Sequence, residues 1–213
     1  ELRSIGILLA ASSMGLVRGI VGFLAFLVAF YAKDQDLPVL LGVAAVTAQG
    51  GFVLASLTAP RLREAISEER ILMSALIAIV VVALPMGALV ATDDGTVPVV
   101  FASALVSLVV GFASNVGKQA FDSIVQRDAP DANRGRSFAR FETRFQLVWV
   151  VGALLPVALG IPMAAAFVFI AGVAAFAATS YGVGRRRAAR GLDHRVIRVD
   201  RDAVLARVRP GRA

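Results

Sequence analysis

The chain has 213 residues, of which 58% are hydrophobic and 17% charged, and its formal net charge is +7. That balance fits a membrane protein better than a water-soluble globular one. There is no cysteine, which excludes disulfides, thiolate metal sites and thiol nucleophiles, and the single histidine, His194, cannot build an imidazole zinc site alone.

Six apolar stretches follow one another, at residues 5–32, 38–59, 71–91, 97–117, 141–160 and 161–182. Each has about the twenty residues that a helix needs to cross the hydrocarbon core. Helices in the core of a soluble protein would be amphipathic and often shorter. The expected fold class is therefore an all-α polytopic membrane protein, with a six-helix bundle over residues 1–183 and a basic tail over 184–213.

The connections alternate in charge. Arg3 precedes the first span. The connection after it, Lys33-Asp34-Gln35-Asp36, is net acidic. The second connection holds Arg61, Arg63 and Arg70, and the third, Thr92-Asp93-Asp94-Gly95, has no basic residue. The fourth carries Lys118, Arg127, Arg134, Arg136 and Arg140. The fifth is only Gly160-Ile161-Pro162, where Gly and Pro together favour a tight turn over one continuous helix. The tail opens Arg185-Arg186-Arg187 and stays basic to Arg212. Every second connection is basic, so both ends are expected in the cytoplasm. Positive charge placed beside spans is read as topology control and attraction to anionic lipid, not nucleic-acid binding. Arginine far outnumbers the two lysines, Lys33 and Lys118, a bias that suggests a high-GC bacterial host and its cytoplasmic membrane. The chain opens Glu1-Leu2-Arg3 without a methionine or a signal-peptide pattern, so it is expected to have been cut from a longer polypeptide.

The longest polar interruption, residues 119–140, is read as a loop around the turn-rich Asp128-Ala129-Pro130-Asp131-Ala132-Asn133. Residues after Gly184 are read as a solvated basic tail or a short surface helix.

Polar residues at depth are the functional candidates. Arg18 lies about 20 Å from either end of the first span, too far for easy escape to the interface. Two readings are open: an anion-binding or gating residue lining a central pathway, or a structural arginine bonded to a neighbouring helix. Gln49, Thr47 and Ser107 fall at similar depth, as substrate contacts or as interhelical hydrogen bonds. Gly15 and Gly19, and Gly50, Gly51 and Ala55, are read as close-packing positions. At the cytoplasmic edge Asn115, Lys118, Gln119, Asp122, Arg140, Glu142 and Arg144 form a candidate gate network, with Lys118 and Asp122 spaced to pair on one helix face. No carboxylate lies deep in a span, and no phosphate-binding Gly-Lys-Ser/Thr loop, H-E-x-x-H or Ser–His constellation occurs, so an enzyme is the weakest reading and no cofactor or metal is expected.

Taken in order, these features resemble one half of a major facilitator superfamily transporter. Pro130 followed by Arg134-Gly135-Arg136 resembles the turn before the fifth helix of such a half, and Gln146–Pro156 resembles the Gly- and Pro-containing helix that follows it. Gly51 and then Pro60-Arg61-Leu62-Arg63 stand where the family's conserved connection falls, although its Asp and second Gly are missing. That departure, with the basic tail, points to the C-terminal half. The resemblance implies two three-helix inverted repeats and half of a secondary transporter that moves a small-molecule solute by alternating access, proton-coupled efflux being one form. Its partners would be the lipid bilayer and a missing N-terminal six-helix half or a second copy. A proton-coupling group would then lie outside this chain. The rival reading is a non-transporting scaffold or partner-binding subunit.

Overall fold

A computed structural model describes residues 5–128 and 134–189, so readings placed on the tail beyond residue 189, on His194 and on residues 129–133 lie outside the described residues. Six helices cross in succession: α1 (Ile5–Asp34), α2 (Pro38–Ala65), α3 (Glu68–Thr92), α4 (Thr96–Asp128), α5 (Arg134–Leu159) and α6 (Met163–Ala189). All six are long and apolar enough to span a bilayer, and the protein is a polytopic membrane protein. Short connections make successive helices antiparallel. One end of the bundle carries the α2–α3 and α4–α5 connections and is the basic end; the other carries the Lys33–Asp36 and Thr92–Gly95 connections and is the acidic end.

Local chemistry sets the boundaries. Pro38 opens α2, where its fixed φ and missing N–H cost nothing, and Glu68 and Glu69 in the first turn of α3 and Arg186 and Arg187 in the last turn of α6 match their helix dipoles. Gly160 takes a left-handed conformation (φ 56°) and its N–H donates to the Pro156 carbonyl at 3.1 Å, so the expected turn between α5 and α6 forms.

The helices are longer than hydropathy alone suggests. The 119–140 interruption is mostly helix: α4 runs through Asp128, and Arg134-Gly135 already belong to α5. The cause is an apolar stripe, Ala120, Phe121, Ile124 and Val125, buried at helical spacing beyond the uniformly apolar stretch. At ~1.5 Å per residue α4 is about 50 Å long, against a hydrocarbon core of about 30 Å, so it extends beyond that core. Likewise α2 continues past Pro60 to Ala65 and α6 past Gly184 to Ala189.

The packing repeats. Helix α1 lies along α5 and α2 along α4, α3 packs on α6, and α1 and α4 meet centrally. On the first seam a Cβ at Gly22 would strike the Trp149 carbonyl, and one at Gly152 would strike the Gly19 carbonyl. On the second a Cβ at Gly111 would strike the Ala48 carbonyl, and one at Gly51 the Leu108 carbonyl. Gly19 and Gly22 thus correspond to Leu108 and Gly111, and Trp149 and Gly152 to Ala48 and Gly51, with the same spacing within every pair. The α3–α6 seam obeys the rule too: Gly87 abuts Val168 as Gly182 abuts Met73, and the step from Gly87 to Gly182 equals that from Met73 to Val168. Helices α1–α3 therefore map onto α4–α6. Because α1 and α4 run in opposite directions, the two three-helix units are inverted with respect to each other.

Candidate functional site

The hydroxyls of the spans are mostly satisfied by their own helices. Ser12, Thr47, Ser56, Thr58, Ser74, Ser114, Thr143 and Thr179 donate to carbonyls three or four residues back. That is the usual way to silence a hydroxyl in a bilayer. Thr47 is accounted for this way and needs no substrate.

Two buried polar atoms have no such partner among the described residues: Nε of Arg18 and Oγ of Ser103. Arg18 is half-buried near the middle of α1, between Gly15, beside the Phe145 ring, and Gly19, on the α5 seam. An arginine at this depth is costly unless its guanidinium reaches water or a polar partner, and the buried Nε adds to that cost. The structural reading, an arginine bonded to a neighbouring helix, finds no hydrogen bond or ion pair to support it among the described residues.

The repeat gives Arg18 a counterpart. The shift that carries Gly22 onto Gly111 carries Arg18 onto Ser107. Ser107 is buried and lines a cavity of about 180 Å³ between α1, α2 and α4. Val21, Ala25 and Val28 of α1 line the same cavity, and with Arg18 they fall on one helical face, Arg18 one turn toward the basic end. On α2 Leu41 and Ala45 line it, and Gln49 is the next residue of that row, exposed and without a hydrogen bond among the described residues. Of the three pathway candidates, Ser107 lines this apolar cavity, and Arg18 and Gln49 stand one helical turn beyond its walls on α1 and α2. Sequence reasoning missed Ser103, one turn from Ser107 on α4; that spacing was the available signal.

The gate candidates divide into two groups. Between α2 and α4, Asn115 Nδ2 donates to the Phe52 carbonyl and to Ser56 Oγ, both at 2.7 Å. Gln119 Nε2 donates to Asn115 Oδ1 at 3.3 Å, and Arg63 donates to Gln119 Oε1 at 3.0 Å. This is a polar ladder tying the two helices together. Between α4 and α5, Lys118 Nζ pairs with Asp122 at 2.6 Å and with Glu142 at 3.7 Å. Beneath it the Phe121 ring meets Phe141 and Phe145 edge-on, at 5.4 and 5.3 Å. Arg140 and Arg144 do not join. Both are exposed and make no hydrogen bond or ion pair among the described residues. Glu142 is two residues from each, and residues two apart point away from each other on a helix.

A third cluster was not foreseen. Arg127 pairs with Glu68 at 3.2 Å and Glu69 at 2.8 Å, and Ser123 donates to Glu68 at 3.1 Å. It fastens the end of α4 to the start of α3. The partners are more than fifty residues apart in sequence, so no local pattern announces them. Among the described residues no three His, Asp or Glu gather where they could hold a metal.

Fold and site together define a six-helix, multi-pass membrane protein built on an inverted repeat, with a charged residue held at depth beside an apolar cavity. No family model, curated protein or solved structure matches the chain.

Proposed function

We propose that the chain is one half of a secondary transporter that carries a small solute by alternating access, in a bacterial cytoplasmic membrane with both ends of the bundle's chain in the cytoplasm. The observation that supports this best is the inverted repeat with Arg18 and Ser107 at equivalent positions. Inverted-topology repeats are a recurring build of secondary transporters, whose substrate sites lie near the midplane at the repeat interface. A repeat of this kind has two nearly equivalent packings, and exchanging them would move access from one face to the other. The other half would come from the same polypeptide or a second copy and would cover Arg18. The Lys118–Asp122–Glu142 group would close the basic end. A scaffold reading has less support, since packing alone gives no reason to keep an unpaired arginine at depth.

The test uses single cysteines, clean here because the chain has none of its own. Ala25→Cys lines the cavity toward the acidic end, and Ser12→Cys lies in the groove toward the basic end. In sealed vesicles of the full-length protein, an impermeant thiol reagent should reach Ala25→Cys from outside and Ser12→Cys from inside. Conditions that raise one rate should lower the other. Rates that never vary in opposition would sink the transport reading. Labelling of Ala65→Cys but not Gly95→Cys from outside would reverse the topology.

A further inference from the structure

The cavity beside Arg18 restricts what could be carried. Its walls are Val21, Ala25, Val28, Ala45 and Ala48, with Ser107 as the one hydroxyl. The volume, about 180 Å³, can be set against an apolar cavity of ~150 Å³, which holds one benzene molecule. It suits a ring or short branched chain with a small substituent, and it suits an apolar body far better than a sugar or an amino-acid backbone, whose polar groups would go unpaired. One helical turn along α1, about 5.4 Å, brings the wall to Arg18. Among the described residues no carboxylate forms an ion pair or hydrogen bond with Arg18, and Glu142, on the neighbouring α5, is paired with Lys118 at 3.7 Å. A cation is disfavoured there, and an anionic group one turn from an apolar body is favoured.

We infer that the site takes an amphiphilic organic anion of about the size of a substituted benzoate, its apolar body between α1, α2 and α4 and its acid group on the Arg18 guanidinium. This rests on the transporter reading for its purpose, but binding can be measured without transport. Arg18 offers a planar fork of donors; its Nε is covered by protein, and the residue is only partly buried, so the acid group would meet the terminal guanidinium nitrogens. The Ser107 hydroxyl is placed to bond a substituent on the ring.

The test is equilibrium dialysis of the full-length protein in lipid nanodiscs, with binding to empty nanodiscs subtracted. The probes are para-ethylbenzoate, para-ethylbenzyl alcohol and para-ethylbenzylammonium, which share a body and differ in charge. The benzoate should bind at least about tenfold more tightly than either of the others, the worth of one charge-assisted hydrogen bond. Arg18→Gln should reduce the benzoate to the level of the alcohol, whereas Arg18→Lys should keep part of the preference, since it keeps the charge without the fork. Ala45→Phe, and independently Ala25→Phe, should fill the cavity and remove binding of acid and alcohol alike. Equal binding of acid and alcohol would mean an apolar pocket of the kind a lipid chain fills, and would overturn the inference. So would preference for the ammonium, or unchanged benzoate affinity in Arg18→Gln. Opposed labelling of Ala25→Cys and Ser12→Cys without benzoate preference would sink the anion assignment and leave the transporter standing. Absence of both would end the two together.

Discussion

The cavity beside α2 and the equivalent place beside α5 share a backbone and differ in side chains. Helix α2 brings Leu41, Ala44, Ala45 and Ala48 to the cavity. The repeat sets Glu142, Phe145, Gln146 and Trp149 of α5 at the same positions. Phe145 packs edge-on against Phe121, and Trp149 against Phe26 at 6.0 Å. Small residues leave room on one side, and aromatic rings occupy the other. The glycine seams belong to the fold and must recur in both units. The residues one turn away are free to differ, and there a site can arise.

The seams should show the largest effects. Gly111→Val and Gly22→Val each push a side chain into a facing backbone carbonyl, so either should cost more than about 3 kcal/mol, the upper range for overpacking, and leave little monodisperse protein in detergent. Equal losses would confirm that the two units carry the same structural load; tolerance of one alone would break the correspondence. Next comes Trp149→Ala, which should open beside α5 the kind of space that exists beside α2. Half-burial places its cost near 2–3 kcal/mol, at or below the range for a fully buried aromatic, read as a drop in thermal midpoint. No loss would mean the ring is not filling that space.

Polar contacts should matter less. Asn115→Leu removes two bonds to α2, and intramembrane interhelical hydrogen bonds average under 1 kcal/mol, so about 1 kcal/mol is expected. Asp122→Asn breaks a partly exposed pair worth at most about 1 kcal/mol. Its stability effect should be slight, yet the balance between the two labelling patterns should shift, because a contribution that small still moves a near-balanced equilibrium severalfold. Normal folding with unchanged labelling would reduce Lys118–Asp122–Glu142 to ordinary interfacial charge.

Much of this fold is legible in the sequence because lipid imposes long uniform spans, and a Gly–Pro turn or a Lys118–Asp122 spacing is local. The depth of Arg18 follows from counting residues. Helix ends were harder to place, since α4 beyond residue 117 switches from a uniformly apolar surface to a stripe that a search for spans overlooks. Contacts such as Asn115 with Phe52, or Arg127 with Glu68, join segments far apart in sequence and leave no local signal. Arg140 and Arg144 were grouped with Glu142 by proximity along the chain, which a helix turns into separation around its axis. The Gly22 and Gly111 correspondence becomes visible only when the facing carbonyls are known.

The most direct measurement is the wetness of position 18 itself. Arg18→Cys in the full-length protein, reconstituted in sealed vesicles, would be exposed to a small charged methanethiosulfonate reagent, with Gly95→Cys as the exposed reference and Ala83→Cys, fully buried in α3, as the closed one. Reaction at position 18 well above the Ala83 level is the result expected of a residue lining a water-filled pathway. Folded protein whose position 18 reacts no faster than position 83 would contradict the pathway and leave Arg18 a packing residue of the membrane scaffold.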